Sequence, residues 1–177
     1  MKPQRKRNQP RILLFILLLW TISSTATAAT KSATVTVSVN VLPACTAGTT
    51  VSGTTTFGTL NFGTLYYLNK TVRLIGQPNA GAILVQCASG VDYQVVFSAG
   101  NSGNVAQRYM TGNTSGQHVN YNLYSDANYS TVWNNTTGVT RSGTGQQEWI
   151  PVYGQIPVQS TPVVDIYTDT VQVTVNW

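Results

Sequence analysis

The sequence predicts an all-β fold, an antiparallel β-sandwich, on three observations. Nearly every periodic segment beyond residue 28 alternates with period two, and those segments are rich in Val, Ile, Thr and Tyr. Gly, Asn, Ser and Pro punctuate them at short intervals, as in sandwiches built from many short strands. No ten-residue window beyond residue 28 follows the 3.6-residue period of an amphipathic helix.

The first residues stand outside this pattern. Lys2, Arg5, Lys6, Arg7 and Arg11 precede a short apolar run, Ile12–Trp20, and Ala26 and Ala28 are spaced as a cleavage site. That layout predicts a secretory signal peptide over residues 1–28. A membrane anchor requires about 18 or more apolar residues, and this run stops at Thr21 and Ser23. The expectation is therefore an exported chain with no transmembrane segment after cleavage.

The segment "ATVTVSVNVLPAC" (33–45) opens the remainder. Val35, Val37, Val39 and Val41 point one way, and Thr34, Thr36, Ser38 and Asn40 the other, so a strand is predicted over 33–42. Further strands are predicted over 56–65, 70–75, 82–87, 93–98, 118–125, 130–133, 148–156 and 165–177. The Gly-, Asn- and Ser-rich stretches 98–117 and 134–147 are expected as loops. The doubled "FGTL" within 57–65 is too short for a structural repeat, and its glycines mark a bulge or a close backbone approach.

Charge and cysteine content narrow the function. Five of the ten cations lie in residues 1–28, which leaves five cations against five acids beyond. A net charge of zero gives no basic footprint for nucleic acid and favours association. Cys45 and Cys87, 42 positions apart, are the only cysteines. In an oxidising compartment a single disulfide is expected, worth about 4 kcal/mol in the chain-entropy model. Two thiols and one histidine are too few ligands for a zinc site.

Little points to catalysis, a metal or a cofactor. Asp165 and Asp169 are four apart, which on a strand means about 13 Å, too wide for a glycosidase pair. They are expected as turn or strand-edge acids, beside Asp92, Asp126 and Glu148. His118 is expected as a solvated strand-end residue rather than a general base. No nucleophile elbow, phosphate loop or dinucleotide fingerprint occurs. Sequons at Asn69, Asn113, Asn128, Asn134 and Asn135 fit chance in Asn- and Thr-rich loops. Trp133, Trp149, Trp177 and the tyrosines of "YNLY" are either core or a sugar platform, with core favoured.

The segments "FGTLNFG" (57–63), "YNLYSDANYSTVW" (121–133), "VYGQIP" (152–157) and "YTDTVQVTVNW" (167–177), with Cys45 after the first strand and Cys87 ending a later one, resemble the spore coat protein U domain family. That family includes pilus subunits of archaic chaperone–usher systems in Gram-negative bacteria. The resemblance implies an incomplete immunoglobulin-like antiparallel sandwich, over residues 43–177, completed by a donated strand. It also implies a structural subunit of a surface fimbria that supports adhesion and biofilm formation. The partners so implied are a periplasmic chaperone, an outer-membrane usher, and identical or related subunits. Residues 29–42 are then an N-terminal extension whose four valines enter a neighbouring subunit. Val171, Val173, Val175 and Trp177 frame the acceptor groove. Two other readings stand beside it: a self-contained secreted adhesin or carbohydrate-binding module, and a spore-coat structural protein. An exported hydrolase is the least supported class.

Overall fold

A computed structural model describes residues 30–51 and 54–177, so the expected signal peptide lies outside the described residues. The strands lie in a compact unit that runs from Asn40 to Trp177. Its strands are β1 (Cys45–Ala47), β2 (Thr49–Val51), β3 (Thr54–Thr56), β4 (Val72–Ile75), β5 (Ile83–Cys87), β6 (Asp92–Phe97), β7 (Arg108–Gly112), β8 (His118–Tyr124), β9 (Val139–Ser142), β10 (Glu148–Ile150), β11 (Tyr153–Ile156), β12 (Tyr167–Thr168) and β13 (Val173–Asn176). A single 3-10 turn, Gly100–Ser102, is the only helical element among the described residues. The fold is all-β, and every ladder is antiparallel.

Two three-stranded sheets, β1-β5-β10 and β13-β6-β9, and one five-stranded sheet, β12-β7-β8-β11-β4, turn their apolar faces onto one core. β2 and β3 form a separate hairpin. Alternation decides which side chains enter. Ile83, Val85 and Cys87 of β5, Tyr93, Val95 and Phe97 of β6, and Val119, Tyr121 and Leu123 of β8 are all buried. Trp133 completes the core. It stacks on Phe97 at 4.3 Å, and its indole N–H donates to the Val95 carbonyl at 2.9 Å.

Residues 33–42 join no ladder within the chain itself. Several other expected elements are corrected. Beyond Thr56, the stretch 56–65 is irregular, because Gly58 (φ 83°) and Gly63 (φ 78°) take left-handed conformations that break extension. Gly58 is also a close approach, since a Cβ there would lie 2.1 Å from the Asn79 carbonyl oxygen. The strand at 130–133 is reduced to a bridge between Tyr124 and Val132. Segment 148–156 splits around Pro151 into β10 and β11, which join different sheets. Segment 165–177 divides into β12 and β13, which also join different sheets. The supposed loops 98–117 and 134–147 contain β7 and β9.

The acids sit where turns need them. The Asp165 carboxylate accepts the backbone N–H groups of Thr114 (2.9 Å) and Ser115 (2.7 Å), fastening the β7–β8 turn. The Ser115 N–H, then the Ser115 hydroxyl and the Thr114 N–H, hold this carboxyl down at about 2. A folded-state value below the ordinary 3.8 means the latch is intact above about pH 4 and is lost as pH falls through 2. Nuclear magnetic resonance titration of the Thr114 and Ser115 amide protons should therefore show a midpoint near 2. In Asp165→Asn that titration should disappear. A midpoint near 3.8 would contradict the latch.

Candidate strand-acceptor rim

The two rims of the paired three-stranded sheets differ. At one rim β9 faces β10, and the Arg141 guanidinium forms an ion pair with Glu148 across the sheets. The Tyr93 hydroxyl donates to the other Glu148 oxygen at 2.8 Å, and Ser142 bonds Asp92 beside it. Burial, then the Glu148 bond, pushes the Tyr93 hydroxyl up to about 12, so it stays a donor at any physiological pH. The chain after β9 closes the rim further: the Gly145 N–H donates to the Cys87 carbonyl at 2.9 Å.

At the other rim stand β1 and β13, each the edge strand of its sheet. β1 is fixed from one side only. Cys45 and Cys87 are ladder partners joined by a disulfide, and the Ala88 N–H donates to the Ala44 carbonyl. β13 is likewise held from one side. Val173 pairs with Phe97 and Val175 with Val95 on β6. No hydrogen bond joins β1 to β13 among the described residues.

Burial changes sharply across that last ladder. Val95 and Phe97 are 0% and 2% exposed, whereas their partners Val175 and Val173, on the same inward face, are only partly covered. Val171 belongs to the same partly covered row. Cys45 and Ala47 are the half-buried residues of β1. An inward face that loses its cover at a free strand edge leaves both apolar surface and unpaired backbone groups. Trp177 follows the alternation but lies past the last ladder pair, Asn176 with Gln94, and is 62% exposed.

The start of this rim is anchored by polar groups that the sequence hid. The Ser98 N–H donates to the Gln172 carbonyl, and the Gln172 N–H to the Ser98 hydroxyl, both at 2.9 Å. Asp169 accepts the Asn101 N–H at 2.8 Å and the Tyr121 hydroxyl at 2.6 Å. Burial and then the Asp169 bond raise the Tyr121 hydroxyl far above its ordinary value. Behind Ser98 lies Arg108, completely buried, which was expected in a solvated loop.

Residues 30–39 form no ladder, and Val35, Val37, Val39 and Val41 are 78–89% exposed. Four apolar side chains at alternate positions, all open to water, are hydrophobic surface without a cover. Elsewhere, His118 is exposed at the start of β8, its ring 4.0 Å from that of Tyr109. Asn134, one of the sequon residues, accepts three backbone N–H groups from Thr136, Thr137 and Gly138, the work of a turn former. Trp133 is core, Trp149 half-buried, and Tyr121 and Tyr124 of "YNLY" face opposite ways, so those aromatics form no single platform.

The family model of the Spore Coat Protein U domain matches residues 31–174. A search of curated proteins finds no match to the chain. Among solved structures, the crystal structure of the CsuC–CsuE chaperone–tip adhesion subunit pre-assembly complex, from archaic chaperone–usher Csu pili of Acinetobacter baumannii, is similar at 16% identity and a TM-score of 0.49. That alignment covers 77% of this chain and 40% of the other. The match over 31–174 is the one that carries weight.

Proposed function

The chain belongs to the Spore Coat Protein U domain family, and from that premise we propose that it is a structural pilus subunit assembled through the chaperone–usher pathway by donor-strand exchange. The observation that carries this reading is the uncovered inner face along β13, where Val171, Val173 and Val175 are half-buried beside the buried Val95 and Phe97 of β6. A strand added along β13 would supply the missing ladder and cover that row. The donor is the extension 29–42, with Val35, Val37, Val39 and Val41 facing the neighbour's core. Burying four valines yields roughly 6–12 kcal/mol, before the cost of ordering the segment.

On this reading a periplasmic chaperone occupies the rim first, and the next subunit replaces it at the outer-membrane usher. The finished fibre lies on the surface of a Gram-negative cell and serves adhesion and biofilm formation. The catalytic role is none. A deletion distinguishes donation from a strand that belongs to its own core. Removing residues 30–41 should leave a subunit that is still captured by its chaperone but cannot join the subunit ahead. Loss of the chaperone-bound subunit, or fibres of full length from the deleted chain, would overturn the proposal.

A further inference from the structure

The outer face of the five-stranded sheet carries a cluster that strand exchange does not use. Tyr124, Tyr153 and Ile75 are ladder neighbours on β8, β11 and β4, and Gln155 pairs with Arg73 in the adjacent row. Their sequence neighbours Leu123 and Ile156 point into the core, so this row faces away from it. Over it folds the loop 126–131. The Asp126 carboxylate accepts the backbone N–H groups of Asn128, Ser130 and Thr131 and the Ser130 hydroxyl, which fixes the loop.

That fixed loop holds Tyr129 at φ 59°, a left-handed conformation an aromatic residue rarely adopts. Its ring meets Tyr124 and Tyr153 edge-to-face at 5.7 and 5.8 Å. The Arg73 guanidinium lies 4.6 Å from its centre. Arg73 spends Nε on the Gln155 side-chain oxygen at 3.0 Å. Its two Nη groups donate to no protein acceptor, and no carboxylate pairs with it, among the described residues. The three rings are all half-exposed and Ile75 is 45% exposed, so the cluster is not core.

The geometry points to a binding platform for an acidic saccharide. The planar guanidinium offers two free, parallel donors to a sugar carboxylate. The exposed parts of the tyrosine rings receive the apolar C–H face of the pyranose, and the Gln155 amide N–H₂ serves a hydroxyl. A purely apolar ligand would strip water from the Arg73 donors without replacing it. A nucleic acid would need many more cations than one arginine on a chain with no net charge beyond residue 28. The site is independent of the strand-exchange reading, since none of its residues lies on β1, β13 or the N-terminal extension.

The test is equilibrium binding of labelled hexagalacturonate to the assembled mature chain, with maltohexaose as the neutral sugar and hexaglutamate as a non-sugar anion. Saturable binding of hexagalacturonate is expected, with maltohexaose and hexaglutamate each weaker by about tenfold or more. Arg73→Met and Tyr153→Ala should each weaken it about tenfold, and Arg73→Lys should retain more affinity than Arg73→Met. Arg73 is solvent-exposed, so its replacement leaves fold and assembly intact, as circular dichroism and fibre yield will report. No saturable binding, equal binding of maltohexaose or of hexaglutamate, or undiminished binding by Arg73→Met would overturn the assignment.

Discussion

Replacing Arg108 with Leu should lower the stability of the subunit by about 3–5 kcal/mol, from several buried acceptors losing their donor, the largest loss expected from any single polar side chain here. Arg108 is 0% exposed and forms no direct ion pair among the described residues; oxygen dipoles contact its guanidinium, and the Asp169 carboxylate attracts it from further away. Nε and Nη2 donate to the Ser98 carbonyl at 3.0 and 2.7 Å. Nη2 also reaches the Trp133 carbonyl at 2.8 Å, and Nη1 reaches the Asn122 side-chain oxygen at 2.7 Å and the Val105 carbonyl at 3.2 Å. Burial draws its pKa down from the ordinary value, but an arginine remains charged. Leucine fills part of the volume and takes the side-chain donor from the Ser98, Trp133 and Val105 carbonyls, at about 1–3 kcal/mol each where no water replaces it, while the Asn122 side-chain oxygen keeps the Leu123 N–H. Lysine keeps the charge but has no planar fork to span Ser98, Trp133 and Asn122, so Arg108→Lys should fall between. Urea unfolding of wild type and both variants in the same assembly state measures this. A leucine variant within 1 kcal/mol of wild type would show that the network contributes nothing net.

The same residue shows why part of the fold was illegible. Arg108 opens β7 inside a stretch rich in Gly, Asn and Ser, and composition rules place a charged residue there in water. Its burial is made tolerable chiefly by the carbonyls of Phe97, Ser98 and Trp133 and the Asn122 side-chain oxygen, which lie 10 to 25 positions away in the sequence. Strands β5, β6 and β8 were legible because one strong core takes every second side chain of each, even though Val96 and Asn122 on the opposite faces are covered as well. The segment 56–65 alternates just as well but fails, since Gly58 and Gly63 need left-handed backbone that alternation does not encode. The apolar row of the rim was legible in the valines of 171–175. Its uncovered state was legible only through the family resemblance, because a strand with one neighbour and a strand with two share the same period-two pattern. The outward tyrosine cluster escaped for a related reason: "YNLY" gives no sign of which tyrosine faces in.

Val39→Asp should stop fibre growth while leaving the subunit's own fold and its capture by the chaperone unchanged. Val39 is 86% exposed, so an aspartate there costs the isolated subunit nothing. Inside a neighbour's groove the same carboxylate would sit against an apolar row without a cation, at about 3–5 kcal/mol, which is a loss of at least about a hundredfold in the strand's affinity. Period two supplies the internal control. Ser38 points to the opposite face, so Ser38→Asp should assemble nearly as wild type. On the acceptor side, Val173→Asp puts a carboxylate into the rim that the chaperone and then the next extension occupy, beside the subunit's own core, so it should lower chaperone capture as well as fibre yield. Mixing Val39→Asp with wild type makes a directional prediction. A Val39→Asp subunit can still accept a wild-type extension but cannot donate, so it should cap wild-type growth at one end only, as read by fibre length in electron micrographs. Equal effects of Ser38→Asp and Val39→Asp, or full-length fibres from Val39→Asp alone, would remove the valine stripe from the assembly mechanism.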